Sequence, residues 1–144
     1  MHAIPKHRLQ IIDYTDDYKT AITKAAQPLL KDGYITEAYI DEMIDALEEF
    51  GPYIVLADEF ALPHARPSES VKKTGLALLV IKDGVDVLGE KVHVMIVLAA
   101  KDKTAHLEML QSLSEFLMEK QNIQDIKACQ KVEDIDKLLE KRWQ

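Results

Sequence analysis

Tyr53-Ile54-Val55-Leu56-Ala57-Asp58-Glu59-Phe60-Ala61-Leu62-Pro63-His64-Ala65-Arg66-Pro67 is the stretch around which the rest of the chain can be read. An apolar, strand-like run from Tyr53 to Leu56 gives way to a segment in which one histidine stands between two prolines, with an arginine two residues after it. Pro63 fixes its own φ and pushes Leu62 toward extended backbone, and Pro67 does the same to Arg66. His64 is therefore expected on a stiff, non-helical backbone. Two readings stay open at this point. One is a loop histidine that happens to lie near prolines; the other is an imidazole held at a defined angle for a reacting group, since positioning is most of what a protein contributes to phosphoryl transfer.

Upstream, Leu9-Gln10-Ile11-Ile12 reads as a short strand ended by Asp13 and by Thr15-Asp16-Asp17. Thr15 is the expected cap of a first helix, with the two aspartates at the positive end of its dipole. Ile22, Ala25, Ala26, Leu29 and Leu30 share one face of that helix and Gly33 closes it. Pro28 lies inside the pattern and is expected to bend or shorten it. Thr36 starts a second helix, in which Ile40, Met43, Ile44, Leu47 and Phe50 recur at helical spacing up to Gly51-Pro52.

Downstream, Leu76-Ala77-Leu78-Leu79-Val80-Ile81 and Val92 to Ala100 are apolar almost throughout, with a turn expected at Lys82-Asp83-Gly84 and a short extra strand within Val85 to Lys91. Strands apolar on both faces belong in a sheet covered on both sides. A third helix is expected from Asp102-Lys103-Thr104, with Leu107, Leu110, Leu113 and Leu117 as its core stripe. A fourth is expected from Asn122, and a fifth carries Val132, Ile135, Leu138 and Leu139. The fold class is α/β, read as a single domain over residues 1–144.

Composition narrows the classes of function. Hydrophobic residues make up 47% and charged residues 30%, the balance of a globular protein. The formal net charge of -7 argues against nucleic acid as a partner and toward a basic protein surface. With Cys129 as the single cysteine, an internal disulfide and a thiolate metal cluster are excluded. Met1 to Arg8 hold no signal-like apolar stretch, and the longest apolar run, Gly75 to Ile81, has the length of a strand. A cytoplasmic location is expected.

Among the five histidines, His64 and His106 stand out by context. If Thr104 caps the third helix, His106 lies in its first turn, where free N–H groups and the dipole favour an anion. A solvated or capping side chain is the alternative. Arg66 reads either as surface charge or as a planar donor fork for phosphate. The two segments meet if the Val92 to Ala100 strand neighbours the one feeding His64, because open α/β sheets gather functional loops at strand ends. His93, alternating with Val92 and Val94, reads as a strand residue with a local hydrogen bond, and His2 and His7 fall in a terminus of uncertain order. Walker and Rossmann loops, His-Glu-x-x-His and Gly-x-Ser-x-Gly are all missing from the sequence, and no closely spaced pair of metal ligands occurs.

With Ala61-Leu62-Pro63-His64-Ala65-Arg66-Pro67 followed at a distance by Val92 to Ala100 and then by His106-Leu107, the chain resembles the enzyme IIA components of the bacterial sugar phosphotransferase system (PTS), mannitol/fructose type. Gly51-Pro52-Tyr53-Ile54-Val55 is most similar to the branch serving L-ascorbate. The resemblance implies a three-layer α/β/α fold with a mixed, mainly parallel sheet and a phosphocarrier role without metal or organic cofactor. By that analogy His64 accepts a phosphoryl group from the phosphocarrier protein HPr and passes it to a cysteine of the matching enzyme IIB, which serves a membrane permease, enzyme IIC. His106 is then the second site histidine and Arg66 a phosphate contact. The rival reading is a regulatory module of the same fold that docks to a transporter or transcription regulator. A homodimer is compatible with either. Where the family often has Pro-Gly shortly before the motif, this chain has Asp58-Glu59, which removes glycine freedom and adds two negative charges near a phosphate site.

Overall fold

The computed structural model describes residues 3–143. After a 3-10 turn at Lys6–Arg8, the elements follow in the order β1 (Leu9–Ile12), α1 (Tyr18–Lys31), α2 (Glu37–Phe50), β2 (Glu59–Ala61), β3 (Gly75–Val87), β4 (Glu90–Ala99), α3 (Lys103–Leu117), α4 (Lys120–Ala128) and α5 (Val132–Arg142). The strands form one sheet in the order β1-β3-β4-β2. β1 pairs parallel with β3 and β2 parallel with β4, while β3 and β4 are antiparallel, which makes the sheet mixed.

The uninterrupted apolar runs account for the layers. Successive side chains of a strand point to opposite faces, so Leu76, Leu78 and Val80 join Val94, Ile96 and Leu98 in one core, closed by Leu113 and Phe116 of α3, Ile126 of α4 and Ile135 of α5. Ala77, Leu79 and Ile81 join Met95, Val97 and Ala99 in the other, closed by Ile22 and Leu29 of α1 and Tyr39, Met43 and Leu47 of α2. Burying each large side chain contributes about 1.5–3 kcal/mol, so two apolar faces oblige helices on both sides. This is the three-layer α/β/α arrangement expected. No helix among the described residues is long and apolar enough to cross a membrane.

Several local expectations are corrected. Lys82-Asp83-Gly84 is not a turn: β3 runs through it to Val87, and the register with β4 shifts between Val80 and Val85. Gly84 has φ +76, and a Cβ there would stand 2.8 Å from the His93 ring, so the glycine permits a bulge rather than a reversal. The reversal comes at Leu88-Gly89, both with positive φ, between the paired Val87 and Glu90. Two residues of that hand make the turn that matches strand twist. Val85 to Lys91 is therefore the end of β3, a hairpin tip and the start of β4, not a separate strand.

Pro28 does not shorten α1, which continues to Lys31. The carbonyl that loses its helical donor is that of Lys24, and Gln10 on β1 donates its side-chain N–H to it at 2.8 Å. Asp17 rather than Thr15 caps α1, its carboxylate accepting from the Thr20 N–H at 2.8 Å. α4 starts two residues before Asn122, with Glu119 as its cap, and Asn122 is buried with its amide donating to the Phe116 carbonyl at 2.7 Å. His7 is ordered in the 3-10 turn, 2.7 Å from the Asp32 carboxylate, whereas His2 lies outside the described residues.

Candidate active site

Tyr53 to Leu56 does not form the strand expected of it. Following Gly51-Pro52, its backbone closes on itself, with Tyr53 N–H donating to the Gly51 carbonyl at 2.7 Å and Val55 N–H to that of Pro52 at 3.1 Å. The strand that delivers His64 is instead the three-residue β2, and the Ile54 carbonyl accepts from Leu62 N–H just beyond it at 2.8 Å. Pairing with β4 continues past β2 through Leu98 N–H to the Pro63 carbonyl at 3.0 Å.

Two tyrosines that the sequence reading did not single out hold the segment in place. The buried Tyr39 hydroxyl donates to the Leu98 carbonyl at 2.8 Å and accepts from Ala65 N–H at 3.1 Å, tying α2 to β4 and to the histidine loop. Tyr53 donates to the His64 carbonyl at 2.6 Å, and its ring meets the imidazole edge-on with centroids 5.1 Å apart. Burial raises the pKa of both phenols, so both stay protonated and keep donating. The stiffness attributed to the prolines is thus shared with hydrogen bonds from residues distant in sequence.

The tautomer of His64 follows from its partner. Nδ1 lies 2.6 Å from the Leu62 carbonyl, which can only accept, so Nδ1 carries the proton and Nε2 holds the lone pair. Burial pushes the ring's pKa below the ordinary histidine value; the Leu62 carbonyl pulls it partly back, and His106 adds a smaller downward push. The ring is neutral at neutral pH and presents a nucleophilic nitrogen.

His106 reaches the same place from α3. Because β2 and β4 are parallel neighbours, both histidines emerge beyond the same ends of adjacent strands, with ring centroids 5.4 Å apart. The expected cap is corrected here: Asp102, not Thr104, caps α3 through Ala105 N–H at 2.8 Å. His106 then lies one turn in, and its own N–H is used on the Asp102 carbonyl at 3.0 Å. Its Nδ1 is buried without a hydrogen-bond partner among the described residues, and burial lowers its pKa.

His64 and His106 line a groove of about 760 Å³ together with Tyr53, Arg66, Lys103, Phe50 and Leu107. Arg66 is exposed on its wall. Leu107, expected in the core, is 66% exposed, and Phe50 is 63% exposed. The apolar stripe of α3 therefore starts one turn later, at the partly buried Leu110, and Leu107 and Phe50 stand as apolar flanks from α3 and α2. Periodicity could not separate these two from core residues, because they continue the buried pattern of their helices.

Glu59 faces away from the groove. Its carboxylate accepts from Lys127 at 2.7 Å and Gln124 at 2.6 Å, both on α4, which lowers its pKa. Its φ is +65, at the third position of a turn closed by Phe60 N–H to the Ala57 carbonyl, the position that favours glycine. His93 donates from Nδ1 to the Ile81 carbonyl at 3.2 Å, the local bond expected of it, and its Nε2 is 3.7 Å from Glu59. Among the described residues, no group of three His, Cys, Asp or Glu side chains is placed to hold a metal ion.

The arrangement can accept an electrophile at Nε2 of His64, with a second neutral imidazole beside it and cationic side chains at the rim. Comparison with known proteins agrees in kind. The family model for the phosphoenolpyruvate-dependent sugar phosphotransferase system, EIIA 2, matches residues 4–142. The mannitol-specific cryptic phosphotransferase enzyme IIA component of Escherichia coli (strain K12) is 35% identical over 124 residues, 85% of this chain and 84% of that protein. An ascorbate-specific PTS system EIIA component of Shigella boydii serotype 4 (strain Sb227) is 29% identical over 130 residues, 88% of this chain and 84% of its own. The solution structure of the mannitol-specific cryptic enzyme IIA from Escherichia coli matches with a TM-score of 0.89 at 30% identity, covering 96% of each chain.

Proposed function

The chain belongs to the phosphoenolpyruvate-dependent sugar phosphotransferase EIIA 2 family, and from that premise we propose that His64 is its phosphoryl carrier, loaded by phospho-HPr and unloaded by a cysteine of the cognate enzyme IIB. The observation that carries this reading is the bond from His64 Nδ1 to the Leu62 carbonyl, which leaves Nε2 as the attacking nitrogen. In the loading step the Nε2 lone pair forms a bond to phosphorus while the bond from phosphorus to the donor's ring nitrogen breaks, and that nitrogen keeps the electron pair. The ring gains positive character, which the Leu62 carbonyl stabilises through Nδ1–H. In the unloading step a thiolate attacks phosphorus, the N–P bond breaks, and His64 returns to its Nδ1–H tautomer. His106 supports the phosphorylated state from the adjacent wall, and Arg66 contacts the phosphoryl oxygens. Phosphoryl transfer needs positioning and charge stabilisation more than covalent help, which fits this division of roles.

The flanks of the groove suit a protein partner: Phe50 and Leu107 offer exposed apolar surface, and the net charge of -7 favours approach by a basic face. For the sugar, L-ascorbate is the reading supported by Gly51-Pro52-Tyr53-Ile54-Val55, with mannitol as the comparison that the 35% identical relative makes necessary.

The test is to incubate the protein with phosphoenolpyruvate, enzyme I and HPr, locate the acid-labile phosphate by mass spectrometry, and then add ascorbate-type or mannitol-type enzyme IIB. One phosphate on His64, removed faster by the ascorbate-type acceptor, is the expected result. Label at another residue overturns the carrier assignment; faster removal by the mannitol-type acceptor overturns the sugar alone.

A further inference from the structure

We infer that Lys103 is the cation that closes onto the phosphoryl group from the α3 side of the groove, opposite Arg66. This rests on the His64 reading above and adds a residue that the His-x-Arg motif does not contain. Lys103 is the first residue of α3 and lines the groove with His64 and His106. It stands three residues before His106, so the two share a helix face. Helical side chains lean toward the N-terminus, which carries the lysine beyond the start of the helix and over the groove mouth.

Its position is otherwise unfavourable. A helix N-terminus is the positive end of the dipole, where a lysine is repelled and an acid is favoured. The acid at this helix start is Asp102, its cap. Lys103 has no ion-pair or hydrogen-bond partner among the described residues, its neighbours at three and four residues along the helix are His106 and Leu107, and the Oδ1 of Asp102 is taken by the Ala105 N–H. An unpartnered cation that lines the groove is placed to meet an anion absent from the resting molecule. A phosphoryl group on His64 carries close to two negative charges at neutral pH. Burial holds both site imidazoles toward the neutral form in the unloaded groove, so they are not standing positive charges that offset it. Arg66 from the loop and Lys103 from the helix supply the two positive charges that do. When the group arrives, the lysine and the helix dipole stop opposing each other and favour the same anion.

The experiment compares wild type, Lys103→Gln, Lys103→Arg and Lys101→Gln. Lys101 carries the same charge two residues earlier, bonds Thr74 through its backbone N–H and does not line the groove. Each protein is loaded through HPr. Two quantities are read: the pH titration of the phosphohistidine signal by phosphorus NMR, and the rate of loading and of transfer to enzyme IIB. For Lys103→Gln the phosphoryl group should titrate at higher pH than in wild type, and loading should slow by roughly tenfold, the scale of one lost charged contact in a transition state. Lys103→Arg should recover most of both, and Lys101→Gln should stay within about twofold. The unloaded Lys103→Gln protein should melt no lower than wild type, because removing a cation from a helix start is not destabilising. If Lys103→Gln matches wild type in titration and rates, or if Lys101→Gln shows the same loss, the inference falls while the carrier reading stands. If the wild type takes no phosphate on His64, both fall.

Discussion

Two histidines lie near opposite ends of β2, His93 on the neighbouring β4 beside Glu59 and His64 three residues past Ala61, and each donates from Nδ1 to a backbone carbonyl, yet the two sites are opposites. At the Glu59 end His93 bonds the Ile81 carbonyl and turns Nε2 toward a carboxylate 3.7 Å away that is itself held by Lys127 and Gln124. At the other end His64 bonds the Leu62 carbonyl, but its Nε2 is left to an open groove whose cations, Arg66 and Lys103, have no acidic partner among the described residues. Charges that satisfy one another hold a turn in place. Charges and lone pairs left unsatisfied beside a rigid backbone are open to a ligand, and that contrast, rather than the presence of a histidine, is what favours the His64 end in the proposed function.

The sharpest way to break the contrast is to exchange the fates of the two imidazoles. His64→Ala should abolish HPr-dependent phosphate uptake, while His93→Ala should leave uptake within about threefold and show its effect in the melting temperature instead. Uptake that survives in the first variant, or is lost in the second, would show that the two ends had been assigned backwards. Next in size is His106→Ala, which should still load but pass phosphate to enzyme IIB roughly ten- to a hundredfold more slowly, read by single-turnover transfer. Unchanged transfer would reduce His106 to packing.

A gentler probe is pH. Burial depresses the His64 pKa, so the neutral ring persists below the pH of about 6.5 at which a free histidine protonates. Loading should stay level through that point and fall only at lower pH, and an NMR titration of the ring should give the same midpoint. The sign carries over to stability: the share due to His64 is present above the unfolded value and is lost as pH falls through the folded one. The smallest effect belongs to the paired end. Lys127→Met, which frees the Glu59 carboxylate on one side, should cost about 0.5–1 kcal/mol in denaturant unfolding and leave transfer within about twofold. A large transfer defect there would mean that the turn at Glu59 sets the position of His64.

What could be read without coordinates follows the range of the interactions. Continuous apolar runs require covered faces, so β3, β4 and the layers were legible, and the neighbouring of His64 and His106 followed from the parallel strands that deliver them. The turn chemistry was less so. Tyr53 to Leu56 has strand composition but follows Gly51-Pro52 and turns back, and Lys82-Asp83-Gly84 looks like a reversal but serves as a bulge because His93 occupies the space beside Gly84. Pro28 was read by its missing donor, and only the fold brings Gln10 to the orphaned Lys24 carbonyl. The same limit applies at the site. The bonds of Tyr39 to Ala65 and Leu98 span 26 and 59 residues, and nothing local in the sequence announces them. Leu107 and Phe50 keep helical register with core residues, so only the shape of the groove shows them exposed.

The Tyr39 hydroxyl has a consequence for how such a protein diversifies. It anchors the His64 loop from the first turn of α2, whereas Ala46 and Phe50, which border the groove, lie two and three turns further along the same helix. Support and recognition are therefore separable along one rod. Changes at the far turns can reshape the border of the groove while the phenol's bonds to Ala65 and Leu98 go on holding the His64 loop.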